Sequence, residues 1–174
     1  MIVPEVTDLA GAAKRVRMIA TAVGSVSAGD QVLAAQAASI AKVRERTKSG
    51  QPLTVAFLYL RGTSSIYLIG GKGSGADSLV EALGARDAGT IAGLGPFTPL
   101  TAEALVKSKP DVILVMTKGL ESVGGIDGLL ALPGVAATPA GRDRRVIAID
   151  DGELLSFGPR TSITLEKLGD ALWP

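Results

Sequence analysis

Tyr59 and Arg61 stand two residues apart in "YLRG", where the apolar run "LTVAFLYLRG" ends. A phenolic oxygen is a hard donor suited to ferric iron. A guanidinium nearby would favour the ionised phenol, or could instead grip a carboxylate in a bidentate, charge-assisted pair. Met116 closes a second apolar run, "DVILVM", and offers polarisable contact or a weak sulfur ligand. By spacing alone the plainer alternative stays open: Tyr59 and Met116 are ordinary packing residues at strand ends.

Two further stretches have the composition of sites. "GGKGSG" (70–75) follows a strand and opens a helix, the place of a phosphate loop. Only Gly73-Ser74-Gly75 fits the G-x-G pattern; Ser78 stands at the third glycine position, and Lys72 is not followed by Ser or Thr. A strand-to-helix turn is the better reading. Asp150, Asp151 and Glu153 cluster after a strand, at the sheet edge where α/β proteins bind ligands, so a Mg²⁺ site is conceivable. With no histidine or third motif in support, a solvated turn is favoured. "GRDRR" (141–145) precedes a strand, hence lies at the opposite edge, and reads as a solvated loop.

These residues need elements to hold them. Thr7 or Asp8 can cap a helix ending near Gly24, after a strand end at Ile2-Val3-Pro4. Ser27 and Asp30 form a capping-box pattern before a long Ala-rich helix with Leu33, Ala37, Ile40 and Val43 at helical spacing, closed by Gly50. From Gln51 the pattern alternates: strands at 53–59 and 64–69, a helix capped by Ser74 and Asp77, a helix from Thr101 to before Pro110, and a strand at 111–116. A short helix in "GGIDGLLALPGV", a strand at 144–150 and a closing helix "TSITLEKLGDALW" follow. Apolar strands alternating with helices imply a mainly parallel sheet covered on both faces. The expected fold is a three-layer α/β/α lobe (51–174) preceded by a short N-terminal helix (1–24) and a long linking helix (25–50).

Composition narrows the chemistry. The 174 residues are 47% hydrophobic with net charge +1, so broad attraction to nucleic acid or acidic membrane is not expected. There is no cysteine and no histidine, which removes thiol chemistry, the commonest metal ligand and the commonest general base. Aromatic residues make up only 3%, too few for a base-stacking platform. No run approaches the ~18–20 apolar residues of a membrane span, and "MIVPEVTDLAG" has no signal-peptide pattern.

The order of segments carries more than any one motif. The "VPE" strand end, the long Ala-rich helix, "GGKGSGADSLVEALGARDAG", "FTPLTAEALVKSKPDVILVM" and "LLALPGVAATPAGRDRRVIAIDD" together resemble the second lobe of the substrate-binding proteins of ABC importers for iron chelates, cobalamin and haem. In that family two α/β lobes are joined by one long helix and enclose the ligand. "YLRG" resembles the haem-binding branch. The resemblance implies Tyr59 as axial ligand of ferric haem, Arg61 as the partner of its phenolate, Met116 beside the porphyrin, and Glu81 as the exposed residue that docks on the permease.

The same resemblance implies a binding function without catalysis, haem as cargo, and an extracytoplasmic place as a periplasmic protein or surface lipoprotein. It also implies that residues 1–24 are the remnant of a missing first lobe, which in some members supplies a histidine as second axial ligand. Such a truncated or isolated lobe could pair as a homodimer. A ferric siderophore or cobalamin is the alternative ligand. A small nucleotide- or Mg²⁺-dependent enzyme using "GGKGSG" and Asp150/Asp151 is the alternative of another class.

Overall fold

The structure, a computed structural model, describes residues 6–47 and 51–174. The strand end read at Ile2-Val3-Pro4 and the helix stop at Gly50 lie outside the described residues.

The alternation after Gln51 becomes one six-stranded sheet in the order β4-β2-β1-β5-β6. β1 (Thr54–Arg61) lies parallel to β5 (Val112–Met116), and β5 parallel to β6 (Val146–Ile149). The other edge of β1 is shared. Its start pairs in parallel with β3 (Arg86–Asp87), and its end pairs with β2 (Ile66–Gly70) in antiparallel register, Tyr59 opposite Leu68. β4 (Phe97–Pro99) extends the sheet beyond β2, also antiparallel. The mainly parallel α/β/α lobe is therefore as expected, with an antiparallel corner that the sequence pattern does not reveal.

Both faces of the sheet are buried, which is why β1 and β5 read as unbroken apolar runs. Val55 and Phe57 of β1, Val112, Leu114 and Met116 of β5, and Ile147 and Ile149 of β6 form one core, and Tyr59 packs against it. α3 (Ala76–Ala82), α9 (Asp151–Leu154) and α10 (Thr161–Leu172) cover this face. Ala56, Leu58, Leu60, Ile113 and Val115 point the other way. They meet α4 (Ala88–Ile91), α5 (Ala102–Ser108), α7 (Gly125–Leu130) and α8 (Pro139–Arg142). α6 (Thr117–Ser122) continues directly from β5.

The two leading helices form a hairpin. Asp8 caps α1 (Leu9–Ala22) by accepting from Gly11 N–H at 2.6 Å. α2 (Val26–Thr47) starts before Ser27, so the Ser27–Asp30 pattern lies inside the helix and the Ser25 carbonyl accepts the first helical bond. α2 runs along α10. Val43 lies so close to Gly169 that a side chain there would overlap it, and Ser39 donates to Glu166 at 2.9 Å. Arg44 of α2 donates to the Ala82 carbonyl at the end of α3 (2.6 Å). Among the described residues no helix is long and apolar enough to cross a membrane.

Candidate functional site

The carboxyl ends of β1, β5 and β6 bring together Tyr59 and Arg61, Met116, and Asp151. Odd-numbered residues of β1 share one face, so Tyr59 and Arg61 emerge on the side of Phe57. Tyr59 is half-buried. Its ring meets Phe97 edge-on at 5.7 Å and 67°, and Phe97 also abuts Phe57 at 6.4 Å. The Arg61 guanidinium carbon lies 4.6 Å from the ring centre, in cation–π contact.

Arg61 has further anchors. Nη1 donates to the Leu60 carbonyl at 3.0 Å, and Nη2 lies 3.7 Å from Asp151 Oδ1. The other oxygen of Asp151 accepts from the Lys118 backbone N–H at 3.0 Å. The cation thus sits over the face of the phenol ring, tied to the start of α6 through one carboxylate. Met116 is on the same sheet face but only 3% exposed, and forms part of the core behind the tyrosine.

Gly62 makes the strand exit possible. Its N–H donates to Ser122 Oγ at 2.9 Å, and a Cβ at this position would fall on the Ser122 carbonyl. "YLRG" therefore ends in glycine because β1 leaves the sheet against the last turn of α6.

The other sequence candidates do not converge on an open site. In "GGKGSG" the N-cap is Gly75, one residue after the expected Ser74. Asp77 folds back and accepts from Gly73 N–H (2.7 Å) and Gly75 N–H (2.9 Å), filling the place an anion would take. Asp150 caps α9 through Gly152 N–H at 2.8 Å, Asp151 faces Arg61, and Glu153 pairs with Lys167 at 2.8 Å. Among the described residues no group of three acidic side chains could hold a metal ion. The arginines of "GRDRR" are structural: Arg142 donates to Ala137 O, Arg144 pairs with Asp127, and Arg145 donates to Leu172 O.

Phe97 escapes a sequence reading. It is a 42%-exposed aromatic on the edge strand β4, brought to Tyr59 by the β4–β2–β1 pairing. Its only sequence signal is scarcity, since the chain has three phenylalanines. Glu81 is exposed on α3.

Among curated proteins none matches the chain significantly. Solved structures do. The periplasmic haem-binding protein RhuT from Roseiflexus sp. RS-1, in apo form, is 42% identical with a TM-score of 0.86, over 96% of this chain and 64% of its own. The haem-binding protein HmuT is 36% identical (TM-score 0.83; 95% of this chain, 55% of its own). The periplasmic haem-binding protein BhuT, in complex with two haems, is 36% identical (TM-score 0.80; 97% and 65%). This chain thus spans less than two thirds of the length of each. Alanine variants of HmuT have also been solved, at a tyrosine, at an arginine two positions later and at a histidine. The profile of the periplasmic binding protein family matches residues 1–152. The chain belongs to the periplasmic binding protein family.

Proposed function

We propose that the chain is the C-terminal lobe of a haem-binding protein that serves an ABC importer, with Tyr59 as an axial ligand of ferric haem. The observation that carries this reading is the setting of Tyr59. A half-buried phenol stands at the carboxyl rim of β1, in contact with both a cation and an aromatic edge. The Tyr59-x-Arg61 spacing equals that of the tyrosine and arginine replaced in the HmuT variants.

The residues present fit the cargo. A phenolate is a hard anionic donor for ferric iron, and Arg61 supplies the compensating charge or a partner for a porphyrin carboxylate. Phe97 offers an apolar edge to the macrocycle, and Met116 backs the tyrosine from the core. The opposing lobe supplies the rest of the enclosure and, in this reading, the second axial position. Binding and lobe closure require no catalysis by this chain. Exposed Glu81 on α3 is the permease contact, and the protein works outside the cytoplasm, in the periplasm or as a surface lipoprotein.

Parallel titrations with haemin, a ferric siderophore and cobalamin test the ligand. Haemin is expected to bind with a change in its visible spectrum. Preferential binding of the siderophore or cobalamin would overturn the reading.

A further inference from the structure

We propose that Asp151 is a positioning residue that holds Arg61 on the Tyr59 ring. The proposal rests on the reading of Tyr59 as an iron ligand and adds what keeps its cation in place. Arginine has several flexible torsions, and the Arg61 side chain is 35% exposed, so contact with one ring face would not by itself select one conformer. Three contacts converge on it: the Tyr59 ring at 4.6 Å, the Leu60 carbonyl at 3.0 Å and Asp151 at 3.7 Å. The first two come from β1 itself. Asp151 comes from the start of α9, and among the described residues only it fixes the guanidinium relative to elements beyond β1.

Asp151 is suited to this. It is the less exposed partner, at 18%, and its second oxygen is pinned by the Lys118 N–H at the start of α6. One carboxylate therefore joins the carboxyl ends of β1, β5 and β6. Without it, Arg61 is free to swing toward solvent, away from the phenol.

Asp151→Asn separates position from structure, because the amide oxygen can still accept from Lys118 N–H while the charge is lost. In the ligand-free chain, the Arg61 side-chain proton resonances should carry an upfield ring-current shift from Tyr59, lost in Tyr59→Leu and strongly reduced in Asp151→Asn. This measurement uses no haem, so it stands whether or not Tyr59 binds iron. In the haemin-loaded chain, Asp151→Asn should shift the iron–phenolate band and weaken binding by about threefold, the scale of a partly exposed ion pair. In an Arg61→Gln background it should change neither. A ring-current shift that survives in Asp151→Asn, or an equal effect on the band with and without Arg61, would overturn the proposal. A band that persists in Tyr59→Phe would overturn the ligand reading instead.

Discussion

The guanidinium of Arg61 lies over the face of the Tyr59 ring, 4.6 Å from its centre, and not at the end of its hydroxyl. In this arrangement the cation meets the π face of the phenol ring, a cation–π contact. Phe97 adds an apolar edge contact to the same ring, 5.7 Å between centres.

Phe97 should therefore matter more to binding than to folding. The residue is 42% exposed, so Phe97→Ala forfeits its two edge contacts, with Tyr59 and Phe57, about 1 kcal/mol together. Haemin affinity is expected to fall about five- to tenfold, with a melting temperature close to that of the parent. Isothermal titration and thermal melts on the same samples check both halves of this expectation.

Gly62 should show the opposite balance. A methyl group there meets the Ser122 carbonyl, so Gly62→Ala must push β1 away from α6. The expected cost is about 1–3 kcal/mol, in the range of overpacked sites, read by urea unfolding. Because the displaced strand end carries Arg61, the Arg61–Tyr59 geometry should loosen with it.

Asp77 tests the phosphate-loop alternative. Its carboxylate accepts from Gly73 and Gly75 N–H, so Asp77→Ala leaves two backbone donors without that partner and should cost about 1–3 kcal/mol. Nucleotide with Mg²⁺ should leave the melting temperature of the parent chain unchanged. A clear rise would show that the loop takes a phosphate after all.

Asp87 predicts the pH dependence of stability. It is 1% exposed and caps α4 through Thr90 N–H at 2.7 Å, while its other oxygen has no hydrogen-bond partner among the described residues. Burial raises its pKa from 3.8 to about 6. Between these values the folded state holds a proton that the unfolded state has released, so stability falls as pH rises through the window. Asp87→Asn keeps an acceptor for Thr90 and removes the charge. It should flatten that fall and be more stable than the parent at neutral pH, by about 1–2 kcal/mol. Denaturant midpoints across the window measure the slope.

Much of this framework is legible in the sequence because its signals are local. Asp8 and Thr101 cap helices where their side chains can reach the next turn, and Gly84 ends α3 with a positive φ that glycine adopts freely. The Ser27 and Ser74 caps fail for a local reason too: α2 begins at Val26, two residues before a Ser27 cap would start it, and α3 is capped by Gly75, one residue after Ser74. What could not be read is what the sheet brings together. β1 is apolar on both faces, so the alternation that sets Phe57 and Tyr59 apart from Leu58 and Leu60 leaves no trace in residue type. Phe97 lies on a three-residue strand ending in proline, too short for a pattern. In the sequence Asp151 falls in an acidic cluster with Asp150 and Glu153, yet each of the three serves a different partner.

The central claim is that Tyr59 ligates ferric haem, and the visible spectrum of the haemin-loaded chain tests it most directly. Tyr59→Phe removes one oxygen and keeps the ring that packs against Phe97. The account predicts that this variant loses the ferric–phenolate band and most of its haemin affinity while retaining its melting temperature. An unchanged spectrum in Tyr59→Phe would contradict it.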